Sequence, residues 1–294
     1  VRRYLGQANG RHYWQSDCRV GAKWGNVIRY RWLAVRAALN EINRRELLQL
    51  PRWVLLPNGC IVPTIAGGID TDAFPEPNPE TATTDGRTIR NVANGTWADV
   101  RDGAGTSADD TAADVANFIV VVGSAADTYD LLGRMIWLFD FSAISDTNIK
   151  NSAILSIFGT GTVNDLTAAM VINLTSSNPA SNTGLVAADY NVANFGSTKF
   201  VTGGFAHASW STTAYNDMTL NADGLANISL TTVSKFGGRP EWDIDNVASG
   251  GPFASGRDSA LGYTADQTGT ANDPRLRLTH SAAAAAFTPR MMVF

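Results

Sequence analysis

Beyond about residue 92, short apolar runs alternate with clusters of Gly, Asn, Asp, Ser and Thr, and almost no segment has the length or period of a helix. Turn-forming residues at such short intervals divide the chain into pieces of strand length, which is typical of an antiparallel β-sandwich. One short helical turn is expected at 222–229. We predict strands at 96–101, 115–122, 134–141, 149–158, 168–174, 199–202, 234–239, 261–265 and 275–280.

The run RMIWLFDF at 134–141 carries the most information about the core. It is largely apolar in both alternating registers, so both faces of the strand are expected to be covered, as in a central strand. Arg134 opens this strand, and we interpret it as an ion-paired structural residue and not as a catalytic one. By contrast, mostly polar residues intervene on the next run, which predicts a half-buried strand; its one face holds Ile149, Asn151, Ala153, Leu155 and Ile157.

The net charge of −4 hides a strong asymmetry along the chain. Residues 1–57 contain eleven basic and three acidic side chains, a net of +8. The remaining residues contain twelve basic and twenty-four acidic side chains, a net of −12. Such a division predicts a basic arm joined to an acidic body.

The basic arm carries the strongest helical pattern of the chain. Its apolar residues recur at spacings of 4, 3, 4 and 3 between 24 and 50, and Pro51 and Pro57 then end the helix. This amphipathic helix either docks on a core or is a short oligomerising helix of about two heptads. The residues of the stripe are Ile28, Trp32, Val35, Leu39 and Ile42.

The chain is therefore expected to have three parts. Residues 1–62 form the basic, partly helical N-terminal arm. Residues 63–91 are a Pro/Thr-rich linker that holds four of the eleven prolines. Residues 92–294 form the β-sandwich.

Several functional classes are disfavoured by what the sequence lacks. Cys18 and Cys60 lie 42 residues apart, and the three histidines share no ligand spacing. We find no dinucleotide-binding glycine fingerprint, phosphate loop, HExxH or GxSxG. The densest apolar run, FIVVV at 118–122, is far shorter than the roughly 18 residues of a membrane-spanning helix. We expect a protein that is not an enzyme, needs no cofactor and does not span a membrane.

Three stretches resemble a known family. They are TWADVRDGAGT at 96–106, RMIWLFDFSAI at 134–144 followed by IKNSAILSI at 149–157, and DPRLRLTH at 273–280. These stretches resemble the DNRLRE-type jelly-roll domains of microbial surface proteins. The run from about residue 84 onward is most similar to members in tailed phages and prophages, which are virion appendage or surface-fibre proteins. The resemblance implies a jelly-roll β-sandwich and covers none of residues 1–65.

The acidic stretch SADDTAAD offers a candidate metal site. Asp109, Asp110 and Asp114 could supply oxygen ligands to Ca²⁺, which prefers carboxylates and carbonyls in loops. The resemblance implies the same, since jelly rolls of this kind often carry a structural calcium. The alternative is a solvated acidic turn. A second acidic group at 241–245 has the same two interpretations.

Aromatic residues offer a candidate glycan-binding surface. Trp242, Trp210 and Tyr215 could stack on sugar rings if they are exposed, and Trp97 and Tyr263 are further candidates. Trp242, flanked by acidic residues, is expected to be the most exposed of them. The alternative is that these aromatic residues pack in the core or at its ends.

The arm is expected to attach the β domain to a larger assembly. Arginine and tryptophan are favoured at protein–protein interfaces, because planar guanidinium groups and large rings supply contact area. Binding of nucleic acid through phosphate contacts and stacking is a disfavoured alternative, and contact with a membrane surface is an alternative that stays open. The candidate anchoring residues are Arg29, Trp32, Arg36, Arg44, Arg45 and Trp53.

Together these features predict a non-enzymatic structural protein on the surface of a phage-like virion. The expected partners are further copies of the chain, other virion proteins such as capsid or tail, and host-surface glycans. A secreted or cell-surface carbohydrate-binding module is the alternative. A polysaccharide depolymerase is disfavoured, since residues 58–294 contain only the glutamates Glu76, Glu80 and Glu241 for paired-carboxylate chemistry.

Overall fold

The computed structural model describes residues 68–166, 168–249 and 255–283, with 115–117 as backbone alone, and the backbone of four strands before them. The chain divides into two compact units, Val1–Gly68 and Ile69–Phe294. Within the described residues, no helix is long and apolar enough to cross a membrane.

The first unit contains two antiparallel strand pairs. Strand β1 (Arg2–Ala8) pairs with β2 (Arg11–Ser16), and β3 (Arg52–Leu55) pairs with β4 (Ile61–Thr64). The helix predicted over 24–50 lies outside the described residues, and Trp53 falls in β3, where the backbone alone is described. The other candidate anchoring residues, Arg29, Trp32, Arg36, Arg44 and Arg45, also lie outside the described residues.

The second unit is built on one antiparallel sheet of twelve strands, which confirms the mainly β class and is consistent with the predicted β-sandwich. The strands follow the order β12-β11-β14-β9-β8-β15-β10-β16-β5, with β13 beside β10, β6 beside β9 and β7 beside β6. The strands are β5 (Ile69–Ala73), β6 (Asp85–Gly95), β7 (Ser107–Asp109), β8 (Asp114–Val122), β9 (Tyr129–Phe139), β10 (Ile149–Asn164), β11 (Val171–Ser176), β12 (Phe205–Ala206), β13 (Tyr215–Thr219), β14 (Ser234–Pro240), β15 (Gly256–Tyr263) and β16 (Arg275–Ser281). The helices are α1 (Trp97–Asp102), α2 (Ala222–Asn227) and α3 (Glu241–Asp245), with 3₁₀ turns at Ala187–Tyr190, Val192–Asn194 and His207–Ser209.

Two of the predicted strands are not strands. The segment 96–101 forms α1, because Thr96 and Asp99 make a capping box: the Thr96 hydroxyl accepts from the Asp99 N–H, and the Asp99 carboxylate accepts from the Thr96 N–H. The segment 199–202 has no strand pairing, although the Phe200 N–H donates to the carbonyl of Leu174 at the edge of β11. The predicted helical turn at 222–229 is confirmed as α2.

The structure also corrects the boundary of the predicted linker. Strand β5 and most of β6 lie within residues 63–91, and both pair with strands of the large sheet. Arg277 on β16 donates Nε and Nη2 to the Asp72 carboxylate on β5, each at 2.7 Å. The folded unit therefore begins at Ile69.

Strand β9 is central and covered on both faces, as its sequence predicts. Met135, Trp137 and Phe139 lie in the main hydrophobic core. Ile136 and Leu138 point the other way and pack with Leu185 and Phe195 in a second, smaller cluster. The long segment between β11 and β12 supplies these last two residues and therefore forms a second layer over β9.

Strand β10 pairs with β16 and β13 in its first part and with β15 in its second part. A bulge at Gly159 separates the two parts. A Cβ atom at this position would lie 1.9 Å from the Ser211 carbonyl oxygen and 2.7 Å from Trp210 Nε1. Glycine is needed here because the segment at Trp210 and Ser211 approaches the strand too closely for a side chain.

The corrected boundary makes a prediction for two truncated chains. A chain that starts at Ile69 keeps β5, whereas one that starts at Pro75 exposes the edge of β16 and leaves Arg277 without Asp72. We expect the shorter chain to lose on the order of 2–5 kcal/mol of unfolding free energy, because several ladder hydrogen bonds are removed. Urea unfolding followed by circular dichroism measures the difference. Equal stability would show that β5 is a linker after all.

Candidate functional site

The Asp243 carboxylate on α3 joins two arginines from neighbouring strands. Arg134 on β9 donates Nε to Oδ2 and Nη2 to Oδ1, each at 2.7 Å. Arg239 on β14 donates Nε to Oδ2 at 2.6 Å and Nη2 to the Asp243 carbonyl at 3.0 Å. All three side chains are fully buried. Buried charges are tolerated when they are paired and hydrogen-bonded in this way.

The other N–H groups of Arg134 are also used. Its Nη1 donates to the carbonyl of Tyr190, and its Nη2 donates to the carbonyl of Arg101 at 2.8 Å. The Tyr190 ring lies 4.1 Å from Arg134 Cζ, which is a cation–π contact. Arg101 on α1 donates Nε to the Asp243 carbonyl at 2.9 Å. We call Asp243, Arg134, Arg239, Arg101 and Tyr190 the Asp243 network.

The electrostatics of the network favour full ionisation of Asp243. Burial alone would raise the pKa of Asp243, but the charge of Arg134 and the hydrogen bonds from Arg134 and Arg239 outweigh it and lower that pKa below its ordinary value. Burial disfavours the charged form of Arg134, and Asp243 reverses this effect and raises the pKa of Arg134. The prediction that Arg134 is ion-paired is confirmed.

The acidic group at 241–245 is therefore occupied by protein cations. Glu241 and Asp245 both lie beside Lys199 Nζ, at 3.0 Å and 2.8 Å. Trp242, which we expected to be exposed, is half-buried and packs against the main core. The core covers part of the Trp242 ring, and its contact with a glycan stays a prediction.

Three half-buried aromatic rings from adjacent strands form a row. Phe158 on β10 lies 5.4 Å from Tyr215 on β13, edge to face, and 5.9 Å from Tyr263 on β15, between ring centroids. Arg275 Cζ on β16 lies 4.4 Å from the centroid of the Tyr215 ring. The Tyr215 hydroxyl donates to backbone carbonyls of the loop before β16. We call Phe158, Tyr215, Tyr263 and Arg275 the aromatic row.

The aromatic row unites two sequence candidates with two residues that sequence reasoning missed. Tyr215 and Tyr263 were predicted as separate candidates, and Phe158 and Arg275 were not. Phe158 lies on the opposite face of β10 from the buried Leu155 and Ile157. An aromatic ring on the less buried face of this strand was the sequence signal that could have identified Phe158. Half-exposed rings beside a guanidinium group suit stacking on a sugar and hydrogen bonding at its edge.

Trp210 is a core residue, which corrects its predicted role in glycan binding. Its ring packs against Phe118 and Phe205, each at a centroid distance of 5.9 Å, and only 6% of its surface is exposed. Its indole Nε1 donates to the carbonyl of Leu261 at 3.1 Å. Trp97 is half-buried and contacts Tyr129 edge to face at 5.1 Å.

The predicted calcium ligands are not gathered around one point. Asp109 accepts from backbone N–H groups of its own turn and lies 3.6 Å from Arg87. Asp110 accepts from the Leu185 N–H at 2.6 Å, and Asp114 is exposed at the start of β8. In the part of the chain that is described, no group of three or more His, Cys, Asp or Glu side chains is placed to hold a metal ion. The predicted calcium role is therefore corrected: Asp109 and Asp110 bind backbone N–H groups of turns and loops, and Asp114 is exposed.

Asp85 on β6 is a second fully buried carboxyl group, with a very different environment. Its two oxygens share one N–H donor, that of Ala265, at 3.2 Å and 3.3 Å. Burial, followed by the negative charges of Asp266, Asp273 and Glu80, raises the pKa of Asp85 well above its ordinary value. The fold therefore favours the protonated form of Asp85.

Comparisons with known proteins do not assign the chain to a family. A scan against protein-family models gives no match to the chain, and a search of curated proteins gives no match either.

Replacing Asp243 by Asn tests the network. D243N leaves Arg134 and Arg239 buried without a counter-charge, so we expect a loss of about 3–5 kcal/mol of unfolding free energy. D245N is the matched control, because Asp245 is half-exposed and its ion pair with Lys199 contributes about 1 kcal/mol or less.

The network also makes stability depend on pH. Because the folded-state pKa of Asp243 is lowered, its contribution to the free energy of unfolding is present above the ordinary carboxyl pKa and declines as the pH falls below it. Urea unfolding at neutral and acidic pH measures both effects, and equal losses for the two variants would contradict the network's role.

Replacing Asp85 by Asn is expected to raise the free energy of unfolding at alkaline pH, whereas D243N lowers it. The raised pKa means that the folded chain holds a proton the unfolded chain releases, so stability falls as the pH rises from the ordinary carboxyl value through the folded pKa. D85N removes this loss, which amounts to about 1.4 kcal/mol for each unit of raised pKa. The variant should be more stable than the wild type at alkaline pH, and the exposed D127N should not be. Parallel pH profiles for D85N and the wild type would refute the interpretation.

Proposed function

We propose that this protein is a non-enzymatic structural protein of a phage-like virion. In this proposal the acidic second unit, Ile69–Phe294, which we call the β unit, is displayed on the particle surface. The basic first unit attaches it to the particle. The partners are further copies of the chain and other virion proteins of the capsid or tail. Symmetric homo-oligomers are the usual form of such assemblies.

The observation that carries the proposal is the agreement between the charge division and the structural division. No charged residue lies between 58 and 68, so the unit that ends at Gly68 has the net charge of +8 and the unit that begins at Ile69 has −12. A basic unit rich in arginine and tryptophan suits attachment to an acidic protein surface. A separate acidic unit suits exposure to solvent, because like charges oppose association.

The interior of the β unit supports a structural role. Arg134, Arg239 and Asp243 are charged side chains of the kind that enzymes place in clefts, but here they tie strands and helices together inside the protein. The resemblance to DNRLRE-type jelly-roll domains of phage appendages agrees with a displayed β module.

We propose the aromatic row as the surface for weak glycan or host contact. Phe158, Tyr215 and Tyr263 are half-buried, so part of each ring is available for stacking. Trp210, by contrast, is buried.

Removal of the first unit tests the attachment. A chain that starts at Ile69 should fold, because it keeps all twelve strands of the large sheet, but it should no longer join particles. Co-sedimentation with purified native particles, followed by immunoblotting, compares this chain with the full chain. The far-ultraviolet circular dichroism of the truncated chain serves as the control for folding.

Two outcomes would overturn the proposal. If the folded truncated chain sediments with particles as the full chain does, the first unit is not the anchor. If the full chain lowers the viscosity of host polysaccharide on incubation, the protein is a depolymerase and not a structural component.

A further inference from the structure

Two buried polar atoms face each other without a hydrogen bond beside the edge of the sheet. His207 Nδ1, in the 3₁₀ turn after β12, lies 3.9 Å from Asp258 Oδ2 on β15. The two residues are 2% and 0% exposed, and neither atom has a hydrogen-bond partner in the described part of the chain. Buried polar atoms are nearly always satisfied, so this pair requires a physical explanation.

The other polar atoms of the two side chains define the protonation state. His207 Nε2 lies 3.0 Å from the carbonyl oxygen of Ser259 and 2.9 Å from Thr162 Oγ1. A carbonyl oxygen can only accept, so Nε2 carries a proton, and a neutral ring then turns the lone pair of Nδ1 toward Asp258. Asp258 Oδ1 accepts from the Leu166 N–H at 3.0 Å, which leaves Oδ2 as the atom that faces the ring.

Few other groups influence this pair. Among the described residues, the titratable groups that act on Asp258 are His207 and Asp165, the residue after β10, and Asp165 has the same sign of charge as Asp258. The adjacent positions on β8 and β12, Val120 and Ala206, are uncharged. Burial, the largest effect, raises the pKa of Asp258.

We propose that His207 Nδ1 and Asp258 Oδ2 share one proton and that this proton fastens the segment 205–210 to β15. With the proton present, the two atoms attract each other and can close to hydrogen-bond distance. Without it, a lone pair and a carboxylate oxygen face each other inside the protein and repel. Loss of the proton therefore releases the segment, and the pair acts as a latch that opens as the pH rises.

The segment that the latch holds has other ties to the sheet, because the His207 N–H donates to the carbonyl of Met170 and the Trp210 ring packs against Phe118. Among the described strands, the two-residue β12 pairs with β11, through Ile172 with Phe205 and Val171 with Ala206. Beyond it, the indole Nε1 of Trp210 donates to the carbonyl of Leu261. Because β12 is the edge strand, opening of this segment would uncover the paired edge of β11 and offer it to another strand.

The direction of the pH effect follows from the proton count of the two facing groups. An unfolded chain still holds one proton on the imidazole up to about pH 6.5, so the stabilisation declines as the pH rises beyond that value and the folded pair loses its proton. We therefore expect the segment to be closed in acid and to open toward alkaline pH.

Hydrogen exchange of the Trp210 indole N–H, measured by nuclear magnetic resonance on the full chain, reports on the latch. After division by the intrinsic base-catalysed rate, exchange should accelerate by about tenfold or more between about pH 5 and pH 9. D258N keeps an oxygen for the Leu166 N–H and offers an amide N–H to His207 Nδ1, so it should abolish the pH dependence. A D258N profile identical to that of the wild type would overturn the proposal.

His280 provides a matched control. It is also buried, but Nε2 lies 2.9 Å from Thr71 Oγ1 and Nδ1 lies 2.9 Å from Asn148 Nδ2, so both ring nitrogens have uncharged partners. H280Q should leave the pH dependence at Trp210 unchanged. As a measurement that needs no variant, the ¹⁵N shift of His207 Nδ1 should change with the same midpoint as Trp210 exchange, and a separate midpoint would refute a shared proton.

Discussion

The second layer of the β unit depends on the pairing of Asp243 with Arg134 and Arg239. Arg134 lies in the middle of β9 and Arg239 lies next to the end of β14, and both are fully buried, so each would be costly to bury without a carboxylate. Asp243 meets this requirement for both at once and holds α3 against β9 and β14. The Arg134 donors that remain bind the carbonyls of Tyr190 and Arg101, so one ion pair fixes the segment over the sheet as well as α1.

The β unit uses its other buried ionisable groups in contrasting ways. Two cations lower the pKa of Asp243, whereas burial and neighbouring carboxylates raise the pKa of Asp85. His207 Nδ1 and Asp258 Oδ2 face each other at 3.9 Å, and in our proposal they share one proton. These buried ionisable groups make internal contacts, whereas the half-exposed rings of Phe158, Tyr215 and Tyr263 lie at the surface.

The parts of the fold that depend on local pattern could be predicted from the sequence. Alternation placed β9 at the centre of the sheet, and the isolation of Arg134 in an apolar strand predicted an ion pair. The helix α1 was also predictable, because Thr96 and Asp99 have the spacing of a capping box. Its β-like residues Trp97 and Val100 favoured a strand, and the capping contacts prevailed.

The long-range contacts could not be predicted, because no local pattern encodes them. Arg134 and Asp243 are 109 residues apart, and nothing at 241–245 distinguishes a carboxylate that binds arginine from one that binds calcium. The burial of Trp210 and the meeting of Phe158 with Tyr215 likewise follow from strand pairing across the sheet.

The most direct test of the proposed role is electron cryo-microscopy of native particles labelled with an antibody fragment against the β unit. A displayed module anchored by its basic first unit should place the label at the outer surface of the particle, at regular positions. Particles that carry no label, or a label seen only after disruption of the particle, would contradict the assignment.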